Sequence, residues 1–562
     1  MENGSTDNFV KTEENNIGST NVVRGRKNAV INFVIFLLIT GYCAWATWYY
    51  VTKTESRSWD KFTQTTSDGY GFLVILYCIY VYALAYYYCI KPFILPPLEK
   101  LILMPGKQSL KRIKYGSVIF YLSVLAATVA YLVVDTADDR QRLIPLIGLT
   151  LFLLFGFIIS SNHSMIPWDT IIWGMILQFL FGLLTIRWEI GRNILETFSD
   201  KVNAFLDYGL QGAFFTYGEL VTQNIFAFSA LSVIFFLGFV INLLYYYGLM
   251  QKFVSILGGF LQIILGTSVC ESVNSVAVVF VGMSEAPMML RPYLKNLTDS
   301  ELHSMMLAGF ASVSGSTLAA YISFGARPQD LITASIMSAP SALCFSKLMY
   351  PETEEIKIQK DNIHLVDVEH RSAMEAASKG ATDAFHLIAA IISGITACLS
   401  FVYFINGVLS WCGAQVGFTD DDSKWTLDII AGKIFTPVSW VMGIPWDECE
   451  KVGQLIGVKT MVNEFVAFQQ MGNMTLTLRS KVIATYAICG FSNPGSIGIA
   501  ISTMSALVPE RKEAVAKLVF RAFVGGALVC LMTACIAGIL MPQSVLEGGA
   551  DLTNVTMTDL RI

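Results

Sequence analysis

Charge is what this 562-residue chain has least of. Asp, Glu, Lys and Arg make up 14% of it, against about 25% in a typical soluble domain. With 54% hydrophobic residues beside that scarcity, a solvated globular protein of ordinary composition is excluded. No long basic run offers a surface to nucleic acid, and the net charge of −5 lies in connecting stretches and tails. Eleven cysteines are scattered singly with no CxxC, which argues against a disulfide framework or a thiolate metal site. The five histidines lack metal-ligand spacing, and all but His386 fall in polar or connecting stretches. There is no HExxH, no GxSxG and no histidine cluster, so an intramembrane enzyme lacks its nucleophile–base pair or metal motif. Residues 1–28 are polar and carry both signs, unlike a cleavable leader. The first spanning helix is therefore expected to act as the targeting signal.

Apolar runs are what the chain has in quantity. Windows near the ~20 residues needed to cross a bilayer fall at 29–51, 70–92, 116–134, 144–160, 168–186, 224–248, 300–325, 328–349, 382–411, 481–505 and 513–541. Two further stretches, 252–292 and 428–472, are apolar but interrupted by Gly, Pro and polar residues. They read as re-entrant hairpins, where irregular backbone is tolerated at depth if protein encloses it. The expected fold is an all-α polytopic membrane protein with about eleven transmembrane helices plus two hairpins. Its expected parts are a tail (1–28), three N-terminal helices (29–134), a core (140–541) and a C-terminal tail (542–562). Arg24, Arg26 and Lys27, then Lys100, Lys107, Lys111, Arg112 and Lys114, place the N-terminus in the cytosol by the positive-inside rule. Eleven crossings put the C-terminus outside, where Asn554-Val-Thr556 is a glycosylation acceptor motif. Residues 187–222 suit a helix lying in the interface, and 350–380 reads as a cytosolic loop.

Within this apolar background, Asn463 and Glu464 sit side by side in Gly457-Val-Lys-Thr-Met-Val-Asn-Glu-Phe-Val-Ala-Phe468. An ionisable group at membrane depth is expensive and by default functional. Two blocks share one plan around such groups. Gly282-Met-Ser-Glu-Ala-Pro287 precedes a helix interrupted at Ser312-Val-Ser-Gly-Ser316, and Asn463-Glu-Phe465 precedes one interrupted at Ser492-Asn-Pro-Gly-Ser496. Glu285 to Ser314 spans 29 residues, as does Glu464 to Asn493. With the hairpins entering from opposite sides, this is an inverted repeat with discontinuous helices, the sequence pointer to a transporter site near the midplane. Glu and Asn together accept from and donate to vicinal hydroxyls, while broken helix ends hold a cation at C=O and a polar ligand at N–H. A neutral polyhydroxylated solute coupled to a cation suits that inventory.

At these residues the chain resembles the concentrative nucleoside transporter family, solute carrier family 28. Gly457 through Phe468 fits the family pattern Gly/Ala-x-Lys-x-x-x-Asn-Glu-Phe-Val-Ala-aromatic. Ser284-Glu-Ala-Pro287, Arg291-Pro-Tyr293, Gly315-Ser316, Ala320-Tyr-Ile-Ser-Phe324, Ser338-Ala-Pro340, Cys489-Gly-Phe-Ser-Asn493 and Met532-Thr-Ala-Cys-Ile-Ala-Gly-Ile-Leu540 agree with it. The resemblance covers about residues 170–541, and the three preceding helices are similar to the extra segment of animal members.

The resemblance implies a nucleoside site. Glu464, with Asn463 beside it, would bind ribose hydroxyls, helped by Asn493 and Ser496. Phe491 would pack on the nucleoside, and Met283, Ser284, Glu285 and Thr317 would face the base. It implies a sodium ion between the first hairpin and the next broken helix, at Val278, the Val281 carbonyl, Ser312 and the Val313 carbonyl. It further implies a homotrimer in the plasma membrane working as an elevator, with 224–248 and 382–411 as fixed scaffold. Two positions depart from the family. Met283 stands where most members have Gln, removing an amide that would meet the base. Val278 stands where the family has a sodium-ligating Asn, and Asn274, one turn earlier beside Glu271, is an alternative donor. Proton coupling through Glu285 or Glu464, and a member that binds without coupled transport, are the readings these departures leave open. Lys459 is expected to pair with a carboxylate or to snorkel.

Overall fold

The computed structural model describes residues 34–541 except 35, 53–68, 86–115, 138, 224, 230, 359–371 and 419–423. Both tails, Asn554, all eight basic residues used to orient the chain and the middle of the 350–380 loop lie outside the described residues. The chain divides into two units, one ending at Val134 and the other beginning at Asp135. The first contributes helices α1 (36–52), α2 (Tyr70–Ala85) and most of α3 (Gly116–Asp135).

Every regular element among the second unit's described residues is a helix. Helix α4 (Ile144–Ile158) follows Arg142, and α5 (Trp168–Gly182) runs on through a π-turn at Leu183–Arg187. Helix α6 (Glu189–Tyr217) covers the stretch expected to lie in the interface. Its Leu206 packs with Val233, Leu237 and Ala319, so one face is committed to the core while charges occupy the other. Helix α7 (Val233–Tyr246) starts later than the expected 224–248 span and bends by 79° into α8 (Leu249–Leu265). The bend falls at Gly248, whose φ of 68° a side chain would strain.

Helices α8 and α9 (Val269–Val281), with the short turns that follow to Asn296, make up the first hairpin stretch, which opens at Leu249 instead of residue 252 and has its tip just after α9. Then come α10 (Asp299–Ala311), α11 (Gly315–Ser323), α12 (Pro328–Met349) and α13 (Ala373–Gln415). At 43 residues, α13 is about 64 Å long, twice the ~30 Å bilayer core and well beyond the expected 382–411. Helices α14 (Leu427–Val441) and α15 (Trp446–Met461) turn on each other by 119° and with α16 (Glu464–Asn473) make up the second hairpin stretch, followed by α17 (Leu478–Ile488), α18 (Pro494–Leu507) and α19 (Lys512–Leu540).

The repeat is legible in the helix starts. Shifting the first block by 179 residues, the distance from Glu285 to Glu464, carries α8, α9, α10 and α11 onto α14, α15, α17 and α18 to within two residues. Five described helices are long and apolar enough to cross a membrane unbroken, or seven counting the two bent pairs as one span each. The α10–α11 and α17–α18 spans are missing from that number because each is interrupted at depth. Helices α12 and α19 are mostly buried and form the centre, whereas α13 is mostly exposed within the monomer. Two arginines close the C-terminal end of α19, where helix carbonyls lack partners. Arg142 donates to the Ile539 carbonyl at 2.7 and 3.1 Å, and Arg479 to that of Gly538 at 2.8 Å. His303 corrects the sequence reading: it lies inside α10, fully buried, with Nδ1 2.7 Å from the Ser346 hydroxyl.

Candidate functional site

The two helix interruptions meet. Ser312 leaves α10 in extended conformation, and Ser314 enters α11 the same way. The second break runs from Cys489 to Asn493, and the Phe491 N–H donates to the Ser312 carbonyl at 3.3 Å. Gly490 fits there because a Cβ would stand 3.0 Å from the Phe310 carbonyl oxygen. Around this crossing the hairpin tips converge.

In the second hairpin, Asn463 caps α16, its Oδ1 accepting from the Val466 N–H at 3.0 Å. That cap fixes Glu464 as the first helical residue, where the helix dipole favours a carboxylate. Glu464 is buried, accepting from Asn493 Nδ2 at 2.7 Å and from the Tyr321 hydroxyl at 3.2 Å. Asn493 works twice, because its Oδ1 also caps α18 by accepting from the Ser496 N–H at 2.9 Å. The sequence reading missed Tyr321, although it lies in a quoted motif. Its ring stacks on Phe468 with centroids 4.5 Å apart, which locks the hydroxyl toward Glu464. Tyr321→Phe removes one neutral donor to the carboxylate and is expected to raise KM for uptake several-fold, on the order of 1 kcal/mol. The concentration dependence of uptake checks it.

In the first hairpin, α9 ends at Gly282, with φ 107°. A Cβ there would stand 3.0 Å from Glu285 Oε2 and from Ser314 Cβ, so Gly282 lets the tip fold tightly onto the start of α11. Glu285 remains accessible, opening into the cavity between the tips. Met283 packs on Gly309 of α10. Thr317 is buried, donating to the Ser314 carbonyl at 2.9 Å.

All nine expected substrate residues line one cavity: Met283, Ser284, Glu285, Thr317, Asn463, Glu464, Phe491, Asn493 and Ser496. Its lining also includes Leu387, Ile391, Gly394 and Ile395 of α13, with Ile499 of α18, which the sequence did not reveal. One side is thus polar and built from both repeats, the other apolar and built from one long helix.

The expected cation positions lie just behind. Val278 and Val313 are fully buried and Val281 and Ser312 nearly so, and the end of α9 abuts the start of α11: a Cβ on Gly315 would stand 2.8 Å from the Phe280 carbonyl oxygen. The Val278 carbonyl accepts from the Gly282 N–H at 3.1 Å, and its side chain brings no oxygen. Ser312 donates its hydroxyl proton to the Ala308 carbonyl at 2.9 Å, leaving its lone pairs as acceptors. The donors here are two carbonyls and one hydroxyl. In the second repeat Lys459 is buried, its ammonium 3.5 Å from the Ala487 carbonyl in the last turn of α17. It does not snorkel.

Paired hairpins and paired broken helices around one polar cavity define a secondary membrane transporter. Comparison with known proteins gives the family. Models described as the N-terminal and C-terminal parts of a Na+ dependent nucleoside transporter match residues 147–220 and 330–538, and one described as nucleoside recognition matches 227–328. Sodium/nucleoside cotransporter 2 of Rattus norvegicus is 38% identical over 506 residues, covering 87% of this chain and 76% of that protein. Solute carrier family 28 member 3 of Mus musculus is 38% identical over 484 residues, covering 81% and 68%. The structure of CNTnw in an inward-facing substrate-bound state superposes with a TM-score of 0.67 at 34% identity, over 71% of this chain and 98% of that one. The chain belongs to the sodium-dependent nucleoside transporter family, solute carrier family 28.

Proposed function

We propose that the chain is a cation-coupled symporter that imports nucleosides across the plasma membrane by elevator-type alternating access, with sodium as the coupling ion. The observation that carries this is the polar wall: Glu464 and Asn493 from one repeat and Glu285 and Thr317 from the other face one cavity. A ribose presents vicinal hydroxyls that donate to a carboxylate and accept from an amide. Glu464 and Asn493, already joined at 2.7 Å, offer that pair, and Phe491 offers a flat face for stacking. Met283, Ser284, Glu285 and Thr317 meet the base. Transport requires the cavity to change sides. The apolar contact with α13 suits this, since aliphatic side chains slide without breaking hydrogen bonds, while α7 and α13 serve as the scaffold. The mostly exposed α13 suits assembly as a homotrimer, with the N-terminus cytosolic and the C-terminus outside.

Proton coupling is the second reading, and Val278 favours it, because the expected sodium position has lost its side-chain oxygen. The test is uptake of labelled uridine and adenosine by cells expressing the protein, with sodium replaced by choline at pH 7.5 and 5.5. Loss of uptake without sodium at both pH values is the expected result. Uptake that persists in choline and rises in acid would transfer the coupling to protons. No nucleoside uptake in any condition, with the protein at the cell surface, would overturn the transport reading.

A further inference from the structure

At the far end of the first hairpin, away from the nucleoside cavity, lies a second buried polar cluster. Ser268 caps α9 in a capping box with Glu271, whose Oε1 accepts the Ser268 N–H at 2.7 Å. Thr298 caps α10 in the same way with Glu301, whose Oε2 accepts the Thr298 N–H at 2.9 Å. Both boxes are ordinary; their burial together is not. Glu271 and Glu301 are 1% and 0% exposed, and the two carboxylates interact across Ser268. One ammonium serves them: Lys347 of α12 stands 2.9 Å from Glu271 Oε2, and it also reaches the Ser300 hydroxyl at 2.9 Å and Glu352 at 3.4 Å. Among the described residues, the cation at the start of α10, Arg511, is engaged by the Leu297 carbonyl and the Asp299 carboxylate. Cys270 and His303 are buried, His303 facing Ser346, and Arg521 of α19 is placed over the Tyr350 ring and donates to the Met349 carbonyl.

Two acids on one base, out of water, leave an excess negative charge that a low-dielectric site does not tolerate uncompensated. An independent feature points to what compensates it. Asn274 lies one turn from Glu271 on α9 and is 0% exposed. Its Nδ2 donates to the Met305 carbonyl at 3.3 Å, one turn along α10 from Glu301, so the carboxamide occupies the same seam as the two acids. Its Oδ1 has no hydrogen-bond partner. One buried oxygen acceptor is therefore left open beside the two acids, four residues from the position where Val278 has none.

We infer that Glu271, Glu301 and Asn274 form a cation site, distinct from the carbonyl site at Val281 and Val313, which takes up one monovalent positive charge, sodium or a proton. The inference rests on the cation-coupled reading above. Occupation of the site neutralises the α9–α10 seam and so ties the first hairpin to the helix that leads into the break at Ser312.

The test uses purified full-length protein without nucleoside. Thermal unfolding is followed while sodium replaces choline at pH 7.5, and again in choline as the pH is lowered to 5.5. The variants are Glu301→Gln and Asn274→Leu; the second leaves both capping boxes intact, so it keeps the test valid if Glu301→Gln folds poorly. Sodium is expected to raise the unfolding temperature of the parent, with half-saturation shifted roughly tenfold upward in Asn274→Leu, the scale of one weakened ligand interaction. A parent stabilised by acid and indifferent to sodium, with that response lost in the variants, assigns the charge to a proton and supports the site equally. A parent that responds to neither ion overturns the inference, as do variants that keep the parent's response. Uridine-induced stabilisation is recorded separately. If it is absent from the parent, the nucleoside reading fails while the ion measurement still decides the site.

Discussion

Glu464→Gln is expected to lower kcat/KM for uridine uptake about a hundredfold, roughly 3 kcal/mol, the scale of charge-assisted hydrogen bonds lost to an incoming ligand. The substitution is nearly isosteric, so the cap at Asn463 and the packing of Tyr321 on Phe468 survive. What changes is the acceptor. Glu464 accepts from Asn493 and Tyr321, and an ionised carboxylate has acceptor capacity left for two sugar hydroxyls. A glutamine in its place must turn an NH2 toward one of those donors. Uptake measured against concentration, with surface protein quantified in parallel, checks the result. A nucleoside lacking both ring hydroxyls is expected to compete poorly with uridine in the parent, and the difference between the two is expected to shrink in the variant. Uptake in Glu464→Gln within a few-fold of the parent would show that the carboxylate is a structural cap.

Gly457→Leu is expected to abolish uptake by opening the second hairpin. Helices α14 and α15 touch along a seam of small residues, Gly453 against Gly432 and Gly457 against Ala431, the small-xxx-small arrangement that lets membrane helices approach closely. A Cβ on Gly457 would stand 2.3 Å from the Ala431 Cβ, and one on Gly453 would stand 2.6 Å from the Gly432 carbonyl oxygen. Leucine cannot be housed there without separating the helices, and overpacking of this kind costs about 1–3 kcal/mol or more. The displacement also reaches function, because α15 ends at Met461, two residues before Asn463. The contact that blocks Gly457→Ala is a single methyl, so Ala431→Gly is expected to restore uptake to the Gly457→Ala variant. Thermal unfolding of purified protein and uptake, measured on both single variants and the double, test this. Failure of the double variant to recover would place the constraint elsewhere in the hairpin.

The polar half of the site was legible in the sequence for a definite reason. Asn463, Glu464 and Asn493 are conspicuous in an apolar chain, and the 29-residue spacing repeated around Glu285 ties two distant stretches to one plan. The apolar half was not legible. Leu387, Ile391 and Ile395 have the same composition as the lipid-facing residues of the same helix, and only the fold turns them toward the cavity. Tyr321 lies 143 residues from Glu464, so its role depends on a tertiary contact no local pattern carries. The length of α13 was underestimated because its first turns, from Ala373, are polar enough to resemble a loop. His303 was taken for a connecting residue because it is polar, yet His303 and Ser304 both bond the Ser346 hydroxyl inside the protein.

The central claim is that a cation gradient drives nucleoside accumulation through this cavity. Purified protein reconstituted in liposomes, with an inward sodium gradient and labelled uridine outside, tests it most directly. The account predicts that internal uridine rises above the external concentration and falls back when an ionophore dissipates the ion gradients. Uridine that only equilibrates, under sodium and proton gradients alike, would contradict coupled transport and leave a passive pathway in its place.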